Sequence, residues 1–325
     1  MAENVGAPRL IAGSGRSGTT WMLDVLAQVN GMRPIFEPLN PTAVPAAASF
    51  ANQYIDPDDE MPELKQFLDG TFNGEFHSLW TDYRIRPPML KPHLSTFFSP
   101  GKLKKLYLEW RSAGKRYLHY GAMIDNAPVL VKIIRGNLML GWLRRQYDAR
   151  IVFVVRHPGA VIESRLRING PAWDPEPVLA SYRNRVLMGE LADRYAALLG
   201  ARLAPAETHT LIWCIENQFP MERAVADGYP VVFYEHLLAD GRQQWQRIVD
   251  ALAIERSPYG EKILSKPSQQ SALGRLKRQK VKGSWIDRLT SSDGAAIQRI
   301  LDATGVTAYH VSDPAPGIPG SVRLD

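Results

Sequence analysis

Between the apolar run Leu10-Ile11-Ala12 and a helix-patterned stretch starting at Thr19 lies Gly13-Ser-Gly-Arg-Ser-Gly18. Glycines in this density let the backbone reverse sharply, and Trp21, Met22, Val25, Leu26 and Val29 then recur with helical spacing. A strand, a tight turn and a helix in this order point the first-turn amides at whatever occupies the crook of the turn, and an anion suits them. The unit predicts an α/β fold whose ligands lie at the carboxyl edge of its sheet.

The rest of the chain supports that class. Pro34-Ile-Phe36, Pro128–Ile134, Arg150–Val155 and Tyr229–Tyr234 read as further strands. Helical patterns cover Asn137–Tyr147, Pro158–Arg167, Val178–Leu199, Thr208–Ala226, Gln243–Leu252 and Asp293–Ala303. Uninterrupted apolar strands such as Ile151-Val-Phe-Val-Val155 are covered on both faces, which predicts a three-layer fold around a mostly parallel sheet. Residues 40–126 break the pattern with prolines and aromatics and read as a long, largely helical or irregular insertion. We therefore expect one domain over residues 1–325, with 40–126 as a substrate-facing cap and 261–290 as a basic loop.

Composition narrows the chemistry. The chain has 325 residues and a single cysteine, Cys214, which excludes an internal disulfide and a cysteine-rich zinc site. Its formal charge is +6, and the excess is local: Lys262, Lys266, Arg275, Lys277, Arg278, Lys280, Lys282 and Arg288 are opposed only by Asp287. Such a run suits a phosphorylated small molecule, an acidic surface or nucleic acid, or is a solvated face. No membrane span and no signal-peptide stretch is read, so a cytoplasmic protein is expected.

Gly13–Thr20 departs from the GxxxxGK[ST] pattern by carrying Thr19 in place of the lysine. The Thr19 and Thr20 hydroxyls and the Arg16 guanidinium are anion donors, but no strand-end aspartate follows to hold magnesium, and Val155 leads into Arg156. That disfavours a P-loop kinase or similar nucleotide-dependent transferase. Arg156 at a strand end and Ser164 two helical turns further make a second candidate anion site. A noncatalytic basic protein binding nucleic acid or an acidic partner is the remaining class, without a recognisable nucleic-acid module.

Gly15-Arg16-Ser17-Gly18-Thr19-Thr20-Trp21 resembles the loop with which sulfotransferases using 3′-phosphoadenosine 5′-phosphosulfate (PAPS) hold the 5′-phosphosulfate, and Arg156-His157-Pro158 with Ser164 resembles their 3′-phosphate clamp. The resemblance runs from about Arg9 to Trp285, skips most of residues 40–126, and feels closest to bacterial and carbohydrate-acting members. It implies a PAPS site without a metal and release of 3′,5′-ADP. It also implies roles for Lys132 at the 5′-phosphate or bridging oxygen, and for Lys282, Gly283 and Trp285 as nucleotide neighbours. Tyr234-Glu235-His236-Leu237 resembles an architectural strand-end pattern of the family.

In-line attack on sulfur needs a base for the acceptor hydroxyl. Many family members carry histidine where this chain has Ile134, so Glu37, in Phe36-Glu37-Pro38, is the candidate base. Its other readings are a helix cap or an ion-pair partner for Lys132 or Arg33. His93 and His119 are reserve bases, and His157 is expected to orient its loop. Arg16, Lys132 and Glu37 are thus the expected catalytic set, and the expected partner is a small-molecule hydroxyl: natural product, lipid or glycoside. The aromatics of 40–126, Phe67 and Phe72 among them, divide between acceptor pocket and core. Oligomeric state is not legible.

Overall fold

The computed structural model describes residues 6–30, 32–73, 128–168, 170, 173–239, 241–255 and 285–317. Among the described residues, five strands form one parallel sheet: β1 (Arg9–Gly13), β2 (Arg33–Phe36), β3 (Val129–Ile133), β4 (Arg150–Val155) and β5 (Val231–Phe233), in the order β2-β3-β1-β4-β5. The chain leaves β1 to one side and later returns to the other, so the loop after β1 stands where the direction of winding reverses. Ligands of open α/β sheets settle at that crevice.

Alternation along the strands separates two apolar layers. Ile11, Leu130, Val152, Val154 and Val232 pack under helices α1 (Thr19–Asn30) and α10 (Gly241–Leu252). Leu10, Ala12, Val131, Ile133, Ile151, Phe153 and Val155 face the opposite layer. That layer includes α3 (Leu140–Tyr147), α4 (Pro158–Ile168), α8 (Pro205–Arg223) and α11 (Ser291–Thr304). Burial of the strands on both faces is the physical reason they carry few polar residues, and the buried charges they do carry, Arg33 on β2 and Lys132 on β3, need partners.

Several elements differ in detail from the sequence reading. The helix expected over Val178–Leu199 is three pieces, α5 (Glu176–Arg183), α6 (Arg185–Met188) and α7 (Leu191–Leu199). Asn184 causes the first break by accepting from the Val186 amide, and Gly189 at φ +50° causes the second. Strand β5 is shorter than Tyr229–Tyr234, because Tyr234 already opens a helix, α9 (Tyr234–Ala239). The Tyr-Glu-His-Leu pattern is therefore a first helical turn. Of the insertion, a short 3-10 turn at Pro45–Ser49 and helix α2 (Pro62–Asn73) are described. Phe67 and Phe72 belong to the core. His93, His119, Lys282 and Gly283 lie outside the described residues. Among the described residues no helix is long and apolar enough to cross a membrane.

Candidate functional site

All five strands run parallel, so the residues following each of them meet at one edge. The first loop bends through Arg16 at φ +77° and Gly18 at φ +92°. A Cβ on Gly18 would come within 2.7 Å of the Tyr234 ring, and one on Gly15 within 2.8 Å of Trp173, so this path admits glycine at both points. Ser14 and Ser17, both buried, hydrogen-bond through their hydroxyls at 2.8 Å and brace the inside of the loop. Thr19 is buried, its methyl turned towards Gly13. Trp21 packs with the α1 layer and meets the Tyr234 ring edge-on at 6.3 Å.

The residues expected to form a second anion site converge on this loop. Arg156 Nη1 donates to the Arg16 carbonyl at 2.9 Å, and its guanidinium lies 4.8 Å from the centre of the Tyr234 ring. Arg16 Nε donates to the Ser164 hydroxyl at 3.0 Å. Two arginines and a serine from three elements thus share one corner. Partial burial, then the neighbouring Arg156, Arg167 and Arg165, lower the Arg16 pKa, with Glu163 pulling the other way.

The turn bearing Arg156 is fixed from behind. His157 is fully buried; its Nδ1 accepts from the Gly159 amide at 3.0 Å and its Nε2 faces the His310 carbonyl at 3.2 Å, a neutral tautomer. Burial drives its pKa down to about 4. Glu235 accepts from the His157 amide at 3.0 Å and from Tyr309 at 2.9 Å. These contacts brace the turn that carries Arg156. Trp285 stacks on His157 at 4.3 Å between ring centres and is 5% exposed, so this face of the indole is occupied by protein. Of the basic run, Arg288 is described, and it pairs with Glu163 at 2.6 and 3.0 Å.

On the other side of the loop stands a buried ion pair. Lys132 Nζ lies 2.5 Å from Glu37 Oε1 and donates to the Thr20 hydroxyl at 2.7 Å. Arg135 Nη1 reaches Glu37 Oε2 at 3.3 Å. Register explains the meeting: Lys132 on β3 sits level with Ile11 on β1 and Phe36 on β2, so its side chain emerges beside the first turn of α1 and the residue after β2. Burial alone would raise the Glu37 carboxyl, but Lys132 and Arg135 outweigh it and hold the pKa below the ordinary value. Glu37 also adopts φ +46°, a left-handed backbone that costs a residue with a Cβ about 1–2 kcal/mol.

With this geometry in view, the comparisons decide the family. The sequence model of the sulfotransferase family matches residues 8–258. The chain belongs to the sulfotransferase family. Solved structures similar to it include the sulfotransferase domain of an olefin synthase from Synechococcus PCC 7002, at 18% identity, TM-score 0.46, and 98% and 99% coverage of this chain and that one. The sulfotransferase domain of the curacin biosynthetic pathway shows 15% identity and TM-score 0.41, with 92% and 98% covered. A sulfotransferase from Mycobacterium avium shows 16% identity and TM-score 0.38, with 92% and 76% covered. No curated protein matches the chain by sequence.

For a sulfotransferase, the structure brings together Gly15–Trp21, Glu37, Lys132, Arg156 and Ser164, and sets Trp285 behind Arg156. It also adds residues that the sequence reading missed. Trp173 lies over the Gly15 corner, with the Arg16 and Arg165 guanidinium groups 5.9 and 5.7 Å from its ring. Arg135 is a second cation on Glu37, and Arg165 donates to the Gly15 carbonyl at 3.3 Å. Arg165 follows Ser164 directly, which is the one signal in the sequence that could have drawn attention to it.

Proposed function

We propose that this sulfotransferase transfers the sulfuryl group of PAPS to a hydroxyl of a small-molecule acceptor, releasing 3′,5′-ADP, in the manner of members that use a glutamate base. The observation that carries this reading is the convergence of Arg16, Arg156 and Ser164 on one corner beside a glycine-rich turn that leads into α1. The donor set fits a nucleotide with two anionic ends: the Arg156 guanidinium and the Ser164 hydroxyl at one end, first-turn amides, Thr20 and Lys132 at the other, and Arg16 between them. When bound, PAPS supplies the activated sulfuryl group and a leaving group that gathers negative charge.

Each residue then has a part to play. Gly15, Ser17, Gly18, Thr19 and Thr20 offer amides and hydroxyls for the 5′-end, and Arg156 with Ser164 favours a nucleotide carrying a 3′-phosphate over one without it. Trp21, Lys282 and Gly283 remain the proposed nucleotide neighbours, and Trp285, packed on His157, would act through the Arg156 turn rather than by stacking on the base. Lys132 and Arg16 place positive charge where negative charge forms on the leaving oxygen, the arrangement that lowers a barrier by preorganised electrostatics. Glu37 Oε2 or Oε1 takes the acceptor proton. Its carboxylate is kept ionised by Lys132 and Arg135, so it is ready to accept, and it becomes more basic as Lys132 turns to the leaving group. The domain works as one unit, with 40–126 as the wall of the acceptor pocket, 261–290 as a nucleotide or acceptor loop, and the acceptor drawn from natural products, lipids or glycosides. No nucleic acid and no metal enters this scheme.

Melting in the presence of 3′,5′-ADP, 5′-AMP or ATP–magnesium tests the reading, since a ligand that binds only the native state raises its stability. 3′,5′-ADP should stabilise well beyond the other two. Equal shifts would refute a site for two separate phosphates, and a preference for ATP–magnesium would favour a kinase.

A further inference from the structure

Both anion-binding corners are attached from behind to one helix. On α8, Trp213 and Glu216 lie three residues apart and face α4 together. Trp213 Nε1 donates to the Arg156 carbonyl at 3.1 Å. Glu216 Oε2 meets Arg165 Nη2 at 3.1 Å, and the same nitrogen donates onward to the Gly15 carbonyl at 3.3 Å. Arg165 and Glu216 are 4% and 7% exposed. Arg165 follows Ser164, so its side chain leaves α4 about 100° further round. Ser164 meets Arg16, while Arg165 passes beneath the loop.

We infer that Arg165 and Glu216 form a positioning pair for the first anion loop. They hold the Gly15 carbonyl turned in towards α4 and α8, so that the amides after it face the ligand. The inference rests on the nucleotide reading of this loop proposed above. A carbonyl swung into an anion site would repel its ligand, and a buried guanidinium bonded to that oxygen prevents the swing. The loop is confined on the other side by Trp173, which leaves no room for a Cβ at Gly15.

Stability alone does not account for such a pair. Two buried charges lose hydration that their attraction seldom repays in full, and apolar residues of similar size usually hold a core as well or better. Burial indeed pushes the Glu216 carboxyl up, against the pull of Arg165. What an apolar substitute cannot supply is a donor for the Gly15 carbonyl.

The test follows from that difference. Removing Arg165 alone would leave Glu216 buried and unpaired, so the informative variant is the double substitution Arg165→Met with Glu216→Leu. It should resist urea as well as the parent chain. Loss of a charge-assisted hydrogen bond that fixes the loop should raise the Kd for 3′,5′-ADP about tenfold or more. The KM for PAPS should rise with it while the KM for the acceptor stays unchanged. In the ligand-free protein, amides of residues 14–18 should exchange faster while those of β1 and β4 keep their protection. Unchanged loop exchange, or acceleration spread equally through β1 and β4, overturns the positioning role. Faster loop exchange in a protein whose parent chain does not bind 3′,5′-ADP would keep the role and refute the nucleotide reading instead.

Discussion

Replacing Glu37 by glutamine separates its two duties, because the side chain keeps its shape and loses its charge. Glu37 is 8% exposed and Lys132 4%. Breaking a buried ion pair by deleting one partner costs about 3–5 kcal/mol, since the other charge is left without compensation. Glutamine retains an oxygen for Lys132, so the loss should fall below that range, at about 2–3 kcal/mol. Urea unfolding of the ligand-free variant measures it. Binding should move the other way: with Glu37 neutral, Lys132 offers its full charge to an incoming anion, and titration calorimetry should find 3′,5′-ADP bound at least as tightly as before. Turnover, followed as 3′,5′-ADP released from PAPS across a panel of phenols, hydroxy-lipids and glycosides, should fall about 10²–10⁴-fold, the usual share of a general base. A glutamine variant that turns over at the parent rate would refute Glu37 as the base.

Other outcomes are expected. Gly18→Ala places a methyl against the Tyr234 ring at φ +92° and should cost about 1–3 kcal/mol in urea unfolding, with weakened 3′,5′-ADP binding. Ser164→Ala should narrow the preference for 3′,5′-ADP over 5′-AMP about tenfold by calorimetry. His157 and His209 both titrate near 4 in the native state, each lowered chiefly by burial from an ordinary 6.5. Between those values the unfolded chain binds the extra protons, so their stabilisation is complete above pH 6.5 and is lost as pH falls towards 4. The slope should reach about 1.4 kcal/mol per pH unit for each histidine, and His209→Gln should remove one histidine's share of it in urea titrations.

The architecture was legible where a pattern is local. Arg150–Val155 reads as a strand because both its faces are buried, and Gly13–Gly18 as a turn because its backbone leaves little choice. The helix breaks were partly legible: Asn184 and Gly189 are ordinary stop signals hidden within a convincing apolar periodicity. Tyr234 was misassigned to a strand because its aromatic character continues β5, while the turn it begins is set by what packs around it. At the site, Arg16, Arg156 and Ser164 could be named but not joined, since Arg16 and Ser164 are 148 residues apart in sequence. The Arg165–Glu216 pair was invisible for the same reason. A lone acid, Glu216, directly after the apolar stretch Leu211–Ile215 signals a partner without saying which one.

The neutral histidine behind Arg156 links early and late parts of the chain, for the carbonyl facing its Nε2 belongs to a residue 153 positions further on. During synthesis, the glycine turn and its helix can dock on neighbouring strands long before Trp285, Tyr309 and His310 have emerged. A nascent chain halted ahead of them would carry the first anion loop beside an Arg156 turn still lacking its backing. The Arg156 turn should therefore reach its final form late in biogenesis, after most of the sheet has already formed.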